Sequence, residues 1–225
     1  MTGRTRKIPR DAVHHPLFAR VYEKVGPIAD ERAGVGARRR ELLAGVSGRV
    51  IEIGAGSGLN FAHYPGAVSE VVAIEPERRL RQAALQAARR AEVPVDVVPG
   101  AAEALPVKSE AFDAAVSSLV LCSVRDVERS LAELLRVLRP GGELRFFEHG
   151  LAPGRVQAAV QRAVDRTVWP LLFGGCHTAR DVLVSIEAAG FEVVSHRRLR
   201  VPEGSTRIPS SPCVLGKARR PPLMA

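Results

Sequence analysis

Short apolar segments alternate with helical patterns through most of this chain, and the alternation limits the folds that it can adopt. Runs of four to seven residues, rich in β-branched or aromatic side chains, are typical of strands rather than helices. They lie at residues 50–53, 71–74, 95–98, 112–118 and 143–149. Such runs suit parallel strands covered on both faces by helices. With two strand-like segments near the C-terminus, they predict an α/β fold with a doubly wound, mostly parallel, seven-stranded sheet.

Helical patterns fill the spaces between these segments. Residues 77–93 contain no internal glycine and no interruption of the pattern, and residues 180–199 predict a helix closed by Gly190 and then a strand. A third pattern begins after Asp126, the expected N-cap, and we expect residues 140–142 (Pro-Gly-Gly) to end it. The last strand is expected within 211–219. The apolar face of the third pattern consists of Val127, Leu131, Leu134, Leu135 and Leu138.

The formal charge of +9 raises the question of an anionic partner such as a nucleic acid. All but four of the 33 basic residues are arginine, and they are scattered along the chain. Only 4% of the residues are aromatic, so no surface for stacking bases is indicated. We interpret the charge as a solvated surface and expect no nucleic-acid partner.

The three cysteines, Cys122, Cys176 and Cys213, lie far apart in the sequence. No CxxC pair or zinc-ligand spacing relates them, and their odd number argues against a disulfide framework. No cluster of histidine and carboxylate residues has ligand spacing either. We therefore expect three buried, small apolar side chains and no metal requirement.

Three glycines, Gly54, Gly56 and Gly58, follow the first predicted strand directly. In a parallel sheet this place is the carboxyl end of a strand, where ligands bind and a helix N-terminus offers free N–H groups. The spacing G-x-G-x-G differs from the dinucleotide fingerprint, and no nucleoside-triphosphate loop motif is present. Glu75 ends the second strand, where a carboxylate can accept both hydroxyls of a ribose. Glu52, just before the glycines, suits a ligand with positive charge.

The segments EIGAGSG, AIEP, GAAEALPVKSEAFDAAVSS and LLRVLRPGGELRFFEH together resemble the class I S-adenosylmethionine-dependent methyltransferases. The resemblance spans roughly residues 48–150 and keeps their order and spacing. It implies S-adenosylmethionine as the cofactor. The first acid would orient the methionine end, the glycines would let the backbone approach, and the second acid would hold the ribose. The implied cofactor-binding residues are Glu52, Gly54, Gly56, Gly58, Asn60, Glu75, Pro76, Ala102, Glu103 and Ser118.

Adenine recognition departs from the family pattern. The family often has an aspartate just before the Ala-Glu pair, and this chain has Ala101 there. The resemblance therefore assigns the adenine to the backbone of Ala102 and to Glu103.

A narrower resemblance covers most of the chain. The segments NFAHYP, SSLVLCSV, GGCHTAR and VLGKA are similar to the alkyl-thiol methyltransferases of animal endoplasmic reticulum and their bacterial relatives. It implies S-methylation of a small apolar thiol. A thiolate is the reactive form, so a nearby base or positive charge would help. The candidate catalytic residues are His149, His177 and Arg180, and residues 168–175 (VWPLLFGG) would form an apolar acceptor pocket.

The organisation expected from these features is a single methyltransferase domain over residues 1–225. Residues 1–48 would form an N-terminal helical cap, 49–149 the cofactor-binding core, and 150–225 the substrate-side insertion and final strands. In the cap, Phe18, Val21, Tyr22 and Val25 are expected on one helical face. No apolar run approaches the roughly 18–20 residues of a membrane span, and no signal peptide is indicated. We expect a cytoplasmic protein that binds a small-molecule methyl acceptor.

Other acceptors remain open at this point. The core motifs are shared with phospholipid-amine N-methyltransferases and with quinone or phenol C- or O-methyltransferases. A nucleic-acid methyltransferase is disfavoured, because SSLVLCSV stands where base-amino enzymes have [N/D]-P-P-[YFW]. The Pro-Cys pair at 212–213 lies in the last predicted strand, away from the position that cytosine-C5 enzymes use. A cofactor-binding regulator without turnover is the non-enzymatic alternative.

Overall fold

The computed structural model describes residues 16–205 and 208–222, and its centre is a seven-stranded sheet. The strands are β1 Gly48–Ile53, β2 Val68–Ile74, β3 Val95–Val98, β4 Phe112–Ser118, β5 Leu138–His149, β6 Glu192–Arg200 and β7 Pro212–Arg219. Their order across the sheet is β3-β2-β1-β4-β5-β7-β6. The first five run parallel, and β7 is antiparallel to both of its neighbours. The predicted doubly wound, mostly parallel sheet is confirmed.

Helices cover both faces of the sheet. They are α1 Pro16–Ala33, α2 Val35–Leu43, α3 Arg78–Ala88, α4 Val127–Val137, α5 Arg155–Val164, α6 Trp169–Leu172 and α7 Val182–Ala188, with a short 3-10 helix at Phe61–His63. One apolar cluster contains Leu131 of α4 and Ile186 of α7, and a second contains Leu42 of α2 and Ala84 of α3. The two clusters cover the two faces of the parallel strands. The carboxyl ends of these strands lie between the two layers of helices and are not covered by them.

The predicted helix after Asp126 is present, but its end differs from the prediction. Asp126 caps α4 by accepting a hydrogen bond from the Arg129 N–H at 2.9 Å. The helix ends at Val137 and β5 begins at Leu138, so Pro140, Gly141 and Gly142 lie within the strand rather than before it. The reason is a bulge: Leu138 pairs with Phe112, whereas the next pair is Glu143 with Ala114.

The buried face of α1 also differs from the prediction. Phe18 and Tyr22 stack with ring centroids 5.3 Å apart and face inward. Val21 and Val25 are 59% and 52% exposed, so they do not share that face. The inward face repeats every fourth residue, through Tyr22 and Gly26, because this turn of the helix lies over the ends of the strands. Helices α1 and α2 lie where the N-terminal helical cap is predicted, and a different face of α1 is turned inward; residues 1–15 lie outside the described residues.

Within residues 16–205 and 208–222, every helix is too short or too polar to cross a membrane.

Candidate functional site

The three glycines form a tight turn after β1, and each has a left-handed φ, between 58° and 82°. A Cβ added at Gly54 would lie 2.5 Å from the Val120 side chain, and one at Gly58 would lie 2.8 Å from Ala87. At Gly56 the nearest atom would be in Tyr22, at 3.5 Å. Packing therefore explains the first and third glycines, whereas Gly56 is favoured by its left-handed φ and leaves the cavity wall without a side chain there.

Glu75 follows β2 and lies against the same turn. Its carboxylate accepts hydrogen bonds from the Gly56 N–H at 2.7 Å and the Glu77 N–H at 2.8 Å. The side chain is buried, and burial raises the pKa of Glu75 to about 7. Each carboxylate oxygen can accept more than one hydrogen bond, so the group retains acceptor capacity toward the cavity.

Glu52 lies behind the glycine turn. It accepts hydrogen bonds from Asn60 Nδ2 at 2.9 Å and from the Tyr64 hydroxyl at 2.7 Å. Burial raises the pKa of Glu52 to about 7. Arg39 of α2 extends this network, since it donates to Asn60 Oδ1 at 2.9 Å and to Ser118 Oγ at 3.1 Å. The network fixes the segment that follows the glycines and joins it to the end of β4.

A cavity of about 590 Å³ opens at the carboxyl ends of the parallel strands. This volume lies within the range of roughly 300–1,000 Å³ typical of small-molecule sites. Predicted residues that line it are Gly54, Gly56, Glu75, Pro76, Ala102, Glu103, Ser118, His149 and His177. Predicted residues outside its lining are Glu52, Gly58, Asn60 and Arg180. The structure thus brings most of the predicted site together, and the remaining residues support it from behind.

One half of the cavity is acidic. The acidic residues Asp30, Glu75, Glu77 and Glu103 line it, together with Arg125. This lining suits a ligand with positive charge better than a pyrophosphate. Asp30 is also paired with Arg39, 2.6 Å away, which ties the end of α1 to α2. The prediction of the site did not include Asp30, because nothing in the sequence relates its position to the glycine turn.

The other half of the cavity is apolar and is formed around α6. Trp169 and Phe173 stack there with ring centroids 4.0 Å apart. The loop after α6 packs tightly, because a Cβ at Gly174 would lie 2.8 Å from the Phe18 ring. The predicted apolar segment 168–175 therefore contributes to the cavity wall together with α1. Leu171, which also lines the cavity, is 72% exposed at its mouth.

Glu148, at the end of β5, is buried and was missed by the sequence analysis. It accepts hydrogen bonds from Ser117 Oγ at 2.6 Å and from the backbone N–H groups of Val120 and Cys122. Burial, and then the neighbouring Cys122, raises the pKa of Glu148 to about 8. It thereby holds the loop between β4 and α4 against the cavity. In the sequence, the feature that could have indicated this role is the position of Glu148 next to His149 at the end of a predicted strand.

The candidate catalytic side chains occupy different environments. His149 Nδ1 lies 3.4 Å from Cys122 Sγ and 3.3 Å from Cys176 Sγ. His177 Nδ1 lies 2.7 Å from the Gly175 carbonyl oxygen, which only a protonated nitrogen can approach favourably. His177 Nε2 is therefore the acceptor nitrogen of the neutral ring. Arg180 donates to the carbonyl oxygens of Leu121 and Val124, so its charge supports the loop rather than the cavity.

Comparison with known proteins assigns the chain to a family. Residues 51–146 match the family model described as a methyltransferase domain. Human thiol S-methyltransferase TMT1A is 32% identical over 177 residues, which are 74% of this chain and 72% of that protein. The chain belongs to the S-adenosylmethionine-dependent methyltransferases.

The methyltransferase is also similar to a second protein in sequence and to a solved structure in fold. The ubiquinone/menaquinone biosynthesis C-methyltransferase UbiE of Syntrophotalea carbinolica is 29% identical over 211 residues, which are 82% of the methyltransferase and 88% of UbiE. The solved structure of the N-methyltransferase NodS from Bradyrhizobium japonicum WM9, in complex with S-adenosyl-L-homocysteine, has a TM-score of 0.61 and 19% identity. The likeness covers 85% of the methyltransferase and 86% of NodS, and it shows the fold alone.

The cavity of the methyltransferase fits its cofactor. S-adenosylmethionine carries the transferable methyl group on a positively charged sulfonium, and the acidic half of the cavity suits that charge. Gly56 leaves room in the cavity wall because it has no side chain, and the Glu75 carboxylate offers acceptors for hydroxyl groups. This small-molecule methyltransferase therefore has the groups that the cofactor needs at the end of β2 and the start of the glycine turn.

Buried carboxyl groups give the stability of the methyltransferase an unusual pH dependence. Burial raises the pKa of Glu52 and Glu75 to about 7 and that of Glu148 to about 8, from an ordinary value of 4.5. A raised folded-state pKa contributes stability that is complete below about pH 4.5 and is lost as the pH rises through 7 to 8. Each shifted unit corresponds to about 1.4 kcal/mol. We expect the free energy of unfolding to fall by several kcal/mol between pH 5 and 8.5.

This expectation is checked by chemical denaturation of the cofactor-free protein at constant ionic strength. Two groups act in the opposite direction: burial lowers the pKa of the partly exposed His63, and a hydrogen bond with Cys176 lowers the pKa of the Cys122 thiol. The expected fall is the net effect of the three carboxyl groups against these two. A free energy of unfolding that stays level or rises over this range contradicts the expectation.

Proposed function

We propose that the protein transfers a methyl group from S-adenosylmethionine to the sulfur of a small apolar thiol. One observation carries the proposal: His177 lines the cofactor cavity together with the apolar residues of 169–173, and among the described residues its Nε2 has no hydrogen-bond partner. Apolar surface binds the body of such an acceptor, and the nitrogen accepts its proton. The name of the human relative, a thiol S-methyltransferase, supports the same acceptor class.

The cofactor half of the cavity is assigned residue by residue. Glu75 accepts the ribose hydroxyls, and Gly56 lets the backbone approach the methionine portion. The backbone of Ala102, together with Glu103, receives the adenine, because both line the cavity after β3. Asn60, Gly58 and Glu52 act through the shape of the glycine turn, since they pack behind it. Pro76 and Ser118 line the wall between the adenine and methionine ends.

The chemistry is an in-line displacement at a methyl carbon, so positioning supplies much of the catalysis. The acceptor thiol gives its proton to His177 Nε2. The sulfur then forms the new bond to the methyl carbon while the sulfonium–carbon bond breaks, and the positive charge of the donor is lost. A free thiol titrates near pH 8.5 and is mostly protonated at neutral pH, so a base beside it increases the reactive fraction.

The similarity to a ubiquinone/menaquinone biosynthesis C-methyltransferase makes a quinol or phenol the second candidate class of acceptor. A quinol or phenol also fits an apolar pocket with a base, and an amine is the remaining alternative. The absence of a nucleic-acid partner and a cytoplasmic location stay predictions from the sequence.

The proposal is tested by incubating the protein with S-adenosylmethionine labelled in the methyl group and a matched panel of acceptors. Each small apolar thiol is paired with the alcohol, amine and phenol of the same carbon skeleton. We expect labelled thioether, identified by mass spectrometry, and little product from the matched compounds. Methylation of a phenol, quinol or amine without methylation of any thiol would contradict the acceptor class and leave the fold and cofactor unaffected.

A further inference from the structure

Three side chains with affinity for soft metal ions meet beside the cavity. Cys122 lies in the loop after β4, His149 ends β5, and Cys176 follows α6. Neighbouring members are 27 residues apart, so the sequence shows no ligand spacing and predicts no metal requirement, whereas the fold brings the three together. The two Sγ atoms and the His149 ring nitrogen all lie within 4.8 Å of one another.

The His149 ring nitrogen lies between two sulfur atoms, one of which, Cys122 Sγ, also lies 3.6 Å from Ser123 Oγ. His149 Nδ1 lies 3.4 Å from the Cys122 sulfur and 3.3 Å from the Cys176 sulfur. A ring nitrogen has either one lone pair or one proton, so it can serve one of two thiols well. A tetrahedral zinc ion with bonds of about 2.3 Å to sulfur and 2.0–2.1 Å to nitrogen separates these atoms by about 3.5 Å. The observed distances are close to that separation.

We propose that Cys122, His149 and Cys176 bind one zinc-class divalent ion whose fourth position faces the cavity. Two cysteines and a histidine form a ligand set that catalytic zinc sites use with one position open. Soft sulfur ligands favour zinc over magnesium or calcium. Cys122 is fully buried, whereas His149 and Cys176 line the cavity, so the open side of the ion is the cavity side.

The surrounding backbone holds the three ligands in place. The N–H of Cys122 donates to Glu148 at 3.2 Å, and its carbonyl accepts from the N–H of His177 at 2.8 Å. The N–H of Cys176 donates to the carbonyl of Phe173 at 3.1 Å. Hydrogen bonds around the metal-binding residues orient them in a metal site.

The fourth ligand is the acceptor sulfur, and this part of the inference rests on the proposed function. Binding of the ion releases two thiol protons to water, and the two thiolates neutralise its charge. The acceptor thiol then gives its proton to His177 Nε2 as its sulfur joins the ion. Methyl transfer forms the sulfur–carbon bond, breaks the sulfonium bond and leaves a neutral thioether, a weak ligand that can depart.

The test uses the full chain, freed of metal with a chelator and titrated with cobalt(II) as a spectroscopic substitute for zinc. We expect one ion per chain, a thiolate-to-cobalt charge-transfer band and the intense visible bands of a tetrahedral site. Cys122→Ser and Cys176→Ser should each weaken binding by more than the 10- to 100-fold typical of outer-shell partners. Cys213→Ser is the matched control, since Cys213 is buried but lies outside the cluster.

The outcomes separate the metal site from the proposed function. Failure of the folded wild-type protein to bind cobalt or zinc overturns the site, as does unchanged affinity in the double serine variant. A thiol acceptor should shift the cobalt bands, and an unchanged spectrum overturns the acceptor as fourth ligand. Metal-free protein that methylates thiols at the full rate overturns the metal's role while the proposed function stands. Metal binding without methylation of any thiol leaves the site standing and contradicts the function.

Discussion

Replacing Glu75 with alanine is expected to weaken S-adenosylmethionine binding by about 100-fold or more. The carboxylate is positioned by the Gly56 and Glu77 N–H groups, with acceptor capacity directed at the cavity. If it accepts two ribose hydroxyls, the variant loses two charge-assisted hydrogen bonds of about 1.5–3 kcal/mol each. Isothermal titration calorimetry measures the change. Glu70→Ala is the matched control, because Glu70 lies on the same strand, where it pairs with Arg49.

The pH dependence of the same binding gives a second readout. Burial raises the pKa of Glu75 to about 7 in the free protein, and the hydroxyl donors favour the ionised form. Cofactor affinity should therefore rise with pH up to about 7, and binding at neutral pH should release a proton. Calorimetry in buffers of different ionisation enthalpy counts that proton. Proton release that persists in Glu75→Ala, or an unchanged affinity in the folded variant, contradicts the assignment.

Replacing His177 with alanine is expected to lower kcat at pH 7 by about 100-fold, within the range of general bases. At pH 9 the loss should be much smaller, because a thiol that titrates near pH 8.5 ionises there without help. The Gly175 carbonyl fixes the ring so that Nε2 accepts the proton. Turnover of a small apolar thiol, measured at both pH values, checks the prediction.

His196→Ala is the control for this comparison, because His196 lies exposed on β6 away from the cavity. An equal loss of kcat at pH 7 and pH 9 in His177→Ala would mean that the residue positions the acceptor rather than removing its proton. An unchanged kcat at both values would remove His177 from the mechanism.

The parallel core was predictable because its signals are local. Each of the first five strands contains a short, mostly apolar run, and burial between two layers of helices favours that composition. The glycine turn and Glu75 were predictable for a similar reason, since both stand at strand ends, where the topology places ligands. These features depend on the order of elements along the chain, which is read directly from the sequence.

Long-range contacts were not predictable in the same way. Arg39 reaches Asn60 and Ser118, from two other segments, and no local pattern relates the three. The bulge that draws Pro140 into β5 depends on pairing with β4, which overrides the usual tendency of proline and glycine to separate elements. Val21 of α1 is exposed because the strand ends lie on the opposite side of the helix. Each outcome is set by a neighbour distant in sequence.

One helical turn of α1 spans both halves of the cavity. A side chain at Gly56, at the cofactor end, would meet Tyr22, and one at Gly174, at the acceptor end, would meet Phe18. Ordering this turn has an entropic cost, and that cost is smaller for the second ligand when the first ligand has already ordered the turn. If binding of either ligand orders this turn, the affinities of donor and acceptor are thermodynamically linked, and each changes the affinity of the other by the same factor.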